Sequence, residues 1–76
     1  MKEILETIIS TLVSNKESVN INQIDGEQSV IFEVKVADAD MGKIIGKQGV
    51  IAKSIRTIMK SLAAKENKRV SVEFLD

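Results

Sequence analysis

The residues best suited to chemistry lie in one short stretch, Gly42–Gly49, where glycines and lysines interrupt an otherwise apolar, helix-like run. Gly46 and Gly49 allow a tight turn between two helices, because glycine adopts backbone conformations that other residues avoid. Such a turn exposes bare backbone N–H groups, and Lys43 and Lys47 bring ammonium groups close to them. This chemistry suits a phosphate group, and the stretch therefore indicates a polyanionic ligand such as nucleic acid.

Length and composition exclude several classes of protein. The 76 residues, 43% of them hydrophobic, suffice for a single domain, residues 1–76, around one modest core. With no His and no Cys, the usual general base, thiol nucleophile and zinc ligands are missing, so we expect no enzyme, no metal and no cofactor. No apolar run of about 18 residues occurs, and the chain opens on a charged, periodic segment. We therefore expect a cytoplasmic protein without a membrane span or secretory signal.

The net charge of zero conceals a division of charge along the chain. Residues 42–69 contain eight basic residues and one acidic residue, whereas the remainder contains three basic and ten acidic residues. A chain divided in this way offers one attractive face to a polyanion, while its acidic part limits indiscriminate binding. A solvated basic face on one helix would give the same asymmetry, so charge alone leaves both interpretations open.

Hydrophobic periodicity predicts a helix followed by two strands. Apolar residues recur at helical spacing over residues 2–15, which predicts an amphipathic helix ending near Asn15. Alternation then predicts one strand from Val19 and another over residues 29–36. Asp25-Gly26 between them indicates a hairpin with a type I′ turn, which needs positive φ at both central positions, and a loop lengthened by Glu27 and Gln28 is the alternative.

Two helices and a closing strand are predicted in the second half. Asp40 is expected to cap a short helix that begins near Met41 and stops at the Gly46–Gly49 turn. A second helix is expected from Val50 to about residue 65, before a strand over residues 69–75. The order α-β-β-α-α-β predicts an α+β fold of two layers, with three helices on one face of a three-stranded mixed sheet. The crossover through two helices makes the last two strands parallel if they are neighbours.

Gly42–Gly49 does not match either of two well-known glycine-rich phosphate-binding motifs, the Walker A loop and the dinucleotide-binding fingerprint. A Walker A loop has four residues between its glycines and Ser or Thr after its lysine, but Gly42 and Gly46 enclose three residues and Gln48 follows Lys47. A dinucleotide fingerprint needs its first glycine directly after a strand and an acidic residue further on. The predicted strand ends at residue 36, and no acidic residue lies between residues 40 and 66.

The run Ile44-Ile45-Gly46-Lys47-Gln48-Gly49-Val50-Ile51 resembles the K-homology (KH) domain, whose Gly-x-x-Gly loop between two helices clamps about four nucleotides. The extra helix and strand at the front resemble the type II form of this fold. The short chain and the sequence from Gly42 to Thr57 are similar to small bacterial single-domain KH proteins, the KhpA-type RNA-binding proteins.

This resemblance implies that single-stranded RNA lies in a narrow groove beside the loop, with bases resting on aliphatic side chains. It also implies a cytoplasmic RNA chaperone or post-transcriptional regulator that forms a homodimer, or a heterodimer with another KH-containing RNA-binding protein. Ile44, Ile45 and Ile55 are the candidates for these aliphatic supports. Their helical spacing is also that of buried core residues, and Ile55 is expected in the core. The expected RNA-binding residues are Gly46, Lys47, Gln48, Gly49, Lys43, Ile44, Ile45, Lys53 and Arg56.

Two alternatives to this function remain open at this point. The KH fold would serve mainly to dock another protein, with the loop as part of that interface, or the chain would be a ribosome-assembly factor with the same site chemistry. The two aromatic residues, Phe32 and Phe74, both fall on apolar strand faces. This placement argues against RNA recognition by exposed stacking rings, as used by RRM and OB folds.

Overall fold

A computed structural model of the chain describes residues 1–75. Helix α1 spans Lys2–Leu12 and is followed by a 3-10 turn, Lys16–Ser18. Strands β1 (Asn20–Asp25) and β2 (Ser29–Lys35) come next, then helix α2 (Asp38–Lys65) and strand β3 (Arg69–Leu75). Among the residues described, no helix is both long and apolar enough to cross a membrane.

The sheet has the order β1-β2-β3 and is mixed. β1 pairs antiparallel with β2, with Gln23 opposite Phe32, and β2 pairs parallel with β3, with Phe32 opposite Val72. The predicted hairpin and the predicted parallel pair are therefore confirmed. The type I′ turn is wrong, because Gly26 does not have a positive φ. A three-residue connection replaces it and is closed by the Gly26 amide, which donates to the Ser29 carbonyl at 2.8 Å.

Residues 38–65, named together as α2, are two helices joined by a sharp turn rather than one continuous helix. Residues 46–49 have non-helical dihedral angles and divide α2 into an N-arm, residues 38–45, and a C-arm, residues 50–65. The predicted α+β class and the helical layer on the sheet are confirmed. The three predicted helices correspond to α1 and the two arms of α2. The N-arm begins at Asp38, three residues before the predicted start at Met41.

The core lies between the helices and one face of the sheet. β2 contributes alternate residues to it, and both helices supply apolar side chains spaced to face the strands. Ile55 belongs to this core, as predicted. The largest fully buried apolar side chains are Phe32, Leu5, Ile9, Ile44, Met59, Val30 and Val34.

α2 ends in a Schellman motif. The Asn67 amide donates to the Ala64 carbonyl at 3.1 Å, and the Lys68 amide donates to the Ala63 carbonyl at 2.9 Å. Asn67 is left-handed, with a φ of 57°. This is the geometry in which glycine, and to a lesser extent asparagine, ends a helix. The motif turns the chain directly into β3.

Replacing Asn67 tests this helix end. Asn67→Ala should lower the free energy of unfolding by about 1 kcal/mol, because a β-carbon is disfavoured in the left-handed region and Ala cannot compensate as Asn does. Asn67→Gly should match or exceed the natural stability. Urea titration of both variants measures the effect. Equal stability of the Ala and Gly variants would contradict the left-handed helix end.

Candidate nucleic-acid interface

The break in α2 has the most unusual backbone of the chain. Lys47, Gln48 and Gly49 have φ values of 53°, 62° and 70°, so three successive residues are left-handed. Gly46, just before them, is extended, with φ −61° and ψ 172°. The left-handed conformation costs a residue with a β-carbon about 1–2 kcal/mol. Strain of this kind concentrates at functional sites, which marks this loop as a candidate site.

The three glycines of the stretch have different roles. Gly49 has a positive φ, a conformation that glycine adopts without the penalty that a β-carbon carries. Gly46 has an ordinary φ, and a β-carbon built on it meets no atom within 4 Å. The same space surrounds Gly42, although glycine inside a helix costs about 1 kcal/mol relative to alanine. The requirements of folding therefore do not explain why Gly46 and Gly42 are glycine rather than alanine. Both leave backbone without a side chain at the surface.

Positive charge and amide groups meet at the break. Lys47 is exposed, and the residues on either side of the Lys47-Gln48 pair have no side chains. The C-arm begins at Val50, directly after the loop. The first amides of a helix carry partial positive charge and bind anions. A phosphate oxygen placed at Gly46–Gly49 would meet an ammonium group and peptide N–H groups together.

A groove of about 260 Å³ runs between the C-arm and β3. Arg56 lies in it, where its Nε donates to the Val72 carbonyl at 3.1 Å and its guanidinium carbon lies 5.4 Å from the centre of the Phe74 ring. A guanidinium has five N–H donors, so this bond leaves donors for a ligand. The groove is lined by Arg56, Lys60, Val70, Ser71, Val72 and Glu73.

The neighbouring isoleucines before the loop point in different directions. Ile44 is 1% exposed and packs in the core, so its side chain is not available to support a base, and the structure corrects that expectation. Ile45 is 47% exposed. The next position of a helix is rotated by about 100°, which separates the two side chains. Only Ile45 offers an aliphatic surface next to Gly46.

Asp40 was predicted to cap its own helix, and this prediction is wrong. Its carboxylate binds the segment that follows α1 instead. Its Oδ1 accepts the Ser14 amide at 2.9 Å and its Oδ2 accepts the Asn15 amide at 3.0 Å. The carboxylate is buried. α1 accordingly ends at Leu12 instead of near Asn15, because these two amides donate to Asp40 rather than to helix carbonyls.

Lys43 is joined to the same carboxylate. Its Nζ donates to the Ser14 Oγ at 2.8 Å and lies 3.6 Å from the Asp40 Oδ1. The amide hydrogen bonds from Ser14 and Asn15 lower the pKa of Asp40 below its ordinary value of 3.8, against the opposing effect of burial, and Lys43 lowers it further. Asp40 is therefore ionised at neutral pH, and Lys43 is its counter-ion.

Residues 2–74 match the model of a protein family described as KhpA/KhpB, KH domain. The chain belongs to this KH-domain family. A Clostridium acetobutylicum protein named RNA-binding protein KhpA is 57% identical over 75 residues, which cover 99% of this chain and 100% of that protein. Proteins of the same name are similar in Clostridium perfringens, at 55% identity over 75 residues (99% and 100% coverage), and in Borreliella burgdorferi, at 47% over 74 residues (97% and 90%). No solved structure matches the chain significantly.

In this KH domain the expected site residues do not all lie together. Gly46, Lys47, Gln48 and Gly49 form the loop, with Ile45 beside it, and Arg56 lies in the groove. Lys53 stands on the outward side of the C-arm, where it borders a shallow apolar surface with Val50 and Ile58. Lys43 and Ile44 have contacts of their own, with Ser14 and with the core.

Sequence reasoning missed the second wall of the groove and the partners of Asp40. Val70, Ser71 and Val72 line the groove through an edge strand, and nothing in their residue types signals a ligand. The alternation that predicts β3, together with the parallel crossover, could have placed this strand beside the C-arm. No local signal joins Asp40 to Ser14, which lies 26 residues earlier.

Alanine substitutions separate the roles of the loop glycines. Gly46→Ala should leave the free energy of unfolding within about 0.5 kcal/mol of the natural value, since the added methyl group meets open space. Gly49→Ala should lower it by about 1–2 kcal/mol, because its φ is left-handed. Urea titration measures both, and Gly42→Ala, expected to stabilise by up to about 1 kcal/mol, is the matched control. A Gly46→Ala variant as unstable as Gly49→Ala would refute this division.

The lowered pKa of Asp40 predicts a pH-dependent contribution to stability. A carboxyl group whose pKa falls on folding stabilises above its unfolded pKa, here near 3.8, and loses that contribution as pH falls through the folded pKa. Asp40→Asn should therefore be less stable than the natural chain at neutral pH, by about 5–10 °C in Tm. The difference should shrink only below about pH 4.

Thermal unfolding from pH 7 to pH 2.5 measures this difference. Asp38→Asn is the matched control, because it removes one exposed negative charge from the same helical turn. A difference between the natural chain and Asp40→Asn that is independent of pH would show that the ionised carboxylate is not what stabilises the fold.

Proposed function

We propose that the chain binds single-stranded RNA by clamping its phosphate backbone at Gly46–Gly49. The observation that carries this proposal is the exposed, left-handed Gly-x-x-Gly loop, with Lys47 inside it and open space over Gly46. Open backbone lets a phosphate oxygen approach within hydrogen-bonding distance of the peptide N–H groups. The ammonium of Lys47 then adds a charge-assisted contact. The relatives, which are named RNA-binding proteins, support RNA as the ligand.

The bases are proposed to enter the groove between the C-arm and β3. Ile45 provides an exposed aliphatic surface at the loop end of this path, and the Arg56 guanidinium lies on the ring of Phe74 further along. The C-arm of 16 residues is about 24 Å long, which suits the roughly four nucleotides that a KH domain holds. Lys53 and Lys60 supply further positive charge along the arm.

The contacts in this proposal favour weak binding with little discrimination between bases. The clamp reads the phosphate backbone, which every RNA shares, and one module covers few nucleotides. Useful affinity then requires several linked modules. We therefore propose a homodimer, or a heterodimer with another KH-containing protein, acting as an RNA chaperone or post-transcriptional regulator. The exposed Val50 and Ile58 on the outward side of the C-arm support association with a second protein.

A protein-docking module is the second candidate, and this apolar surface is the observation that favours it. A ribosome-assembly factor differs in its target rather than in its site chemistry, so the loop serves either role. Binding of RNA and association of the protein therefore need to be measured in parallel.

The deciding experiment measures binding to a short single-stranded RNA by fluorescence anisotropy at a series of salt concentrations. Lys47→Asp with Gln48→Asp should weaken binding by at least about tenfold, because three units of charge change at the clamp. Lys16→Asp with Ser18→Asp changes the net charge equally at the exposed 3-10 turn and should weaken binding far less.

Sedimentation of both variants reports their oligomeric state. RNA binding lost at an unchanged oligomeric state supports the clamp. Association lost while RNA binding persists supports the docking module. A natural chain that binds no RNA, even at low salt, contradicts the proposed function.

A further inference from the structure

Lys43 lies one helical turn before the Gly-x-x-Gly loop, yet its ammonium is engaged elsewhere, with Ser14 and Asp40. We propose that Asp40 and Lys43 are positioning residues of the RNA clamp. They hold the N-arm in a fixed direction against the segment that leaves α1, and neither contacts RNA. This inference rests on the proposed function, because it assigns to that site two residues that act through the loop.

The Asp40 carboxylate fixes direction because it binds two successive amides with two different oxygens. Oδ1 accepts the amide of Ser14 and Oδ2 accepts the amide of Asn15. Two hydrogen bonds to separate oxygens of one carboxylate resist rotation as well as separation. The other anchors of the N-arm, Met41 and Ile44, are apolar, and their packing sets position with less directional preference. Within residues 1–75, the side-chain hydrogen bonds from the N-arm to other elements all involve Asp40 or Lys43.

A small rotation of the N-arm moves the loop by more than a preorganised binding site tolerates. Gly46 follows Asp40 by six residues, or about 9 Å along the helix axis. A tilt of about 10° at Asp40 moves Gly46 by about 1.5 Å, which exceeds the roughly 0.5 Å tolerance of a preorganised site. The orientation of the open backbone at Gly46 therefore depends on a hydrogen bond made two turns earlier.

Lys43 completes this anchor and is directed away from the loop. Its ammonium reaches Asp40, three residues earlier in the helix, and Ser14, in the segment after α1. Helical side chains lean toward the N-terminus of their helix, which favours this direction over the loop that follows. The ammonium neutralises a buried carboxylate and bridges it to a hydroxyl group. The Lys43 side chain is 56% exposed, but it differs from the exposed Lys47 of the loop in having Ser14 and Asp40 as partners within the fold.

The salt dependence of RNA binding distinguishes a positioning lysine from a phosphate ligand. Each phosphate contact to a single strand contributes about 0.7 to the slope of log K against log salt. Lys47→Met should reduce the slope by about 0.7. Lys43→Met should weaken binding by about two- to fivefold at an unchanged slope, and Lys43→Arg should restore it, because a guanidinium can still bridge Ser14 and Asp40. Lys16→Met controls for the loss of one remote charge.

A slope reduced as much by Lys43→Met as by Lys47→Met would overturn the inference. It would mean that Lys43 leaves Ser14 and contacts a phosphate group in the complex. A Lys43→Arg variant that bound no better than Lys43→Met, while Lys16→Met bound as the natural chain does, would also overturn the inference, because a cation able to bridge Ser14 and Asp40 would then fail to restore the clamp.

Asp40→Asn tests the direction of the arm, at a temperature where the variant is fully folded. The amide resonances of Gly46 and Gly49 should shift in the free protein, and RNA affinity should fall by about five- to tenfold with the slope unchanged. Ile9→Val, which removes one methylene group from the core under α1, is the control for lost stability. It should leave both the loop resonances and the affinity unchanged.

Equal losses of affinity in Asp40→Asn and Ile9→Val would reduce Asp40 to a purely structural role and overturn the inference. Unmoved Gly46 and Gly49 resonances in Asp40→Asn would do the same. The resonances are read without RNA, so they decide whether Asp40 positions the loop even if the natural chain binds no RNA and the proposed function fails.

Discussion

The fold depends on a constraint of length, which the break at Gly46–Gly49 satisfies. Parallel pairing of β2 and β3 requires the chain to return from the end of one strand to the start of the next, a distance of about 23 Å for seven residues. A straight α2 of 28 residues would measure about 42 Å. The longest dimension of the chain is 34 Å. The helix therefore has to turn, and the left-handed residues let both arms pack on one face of the sheet.

The residues at this turn are not those that folding alone would choose. Glycine would adopt the left-handed conformation without penalty, yet Lys47 and Gln48 occupy two of the three left-handed positions. Conversely, Gly46 and Gly42 stand where the backbone has space for alanine, and at the helical Gly42 alanine would also improve the helix. Side chains are present where they are strained, and absent where they would be tolerated. This inversion indicates that a ligand, more than stability, determines the sequence of the loop.

Patterns that repeat along the chain could be predicted, and contacts between distant segments could not. Alternation located β2 and β3, and the glycine spacing located the turn, because both are local consequences of backbone geometry. The end of α1 was missed because Asp40 competes for its last amides from 26 residues away. Ile44 and Ile45 are chemically identical neighbours, and the packing of the N-arm on the sheet is what separates core from surface. The groove wall at Val70–Val72 arises from topology and carries no chemical signature.

The basic residues are concentrated in one part of the surface, and they differ in whether they have partners within the fold. α2 and the turn after it carry most of the basic residues, while acidic residues dominate elsewhere, so a polyanion is drawn to the crossover and not to the chain as a whole. Two of these bases have partners within the fold: Lys43 is paired with Asp40, and Arg56 donates to the edge of β3. Such bases contribute to the long-range field while they hold the arms in place. Lys47, which is exposed beside open backbone, is left for contact at close range, and in the proposed clamp it would meet a phosphate group whatever base that nucleotide carries.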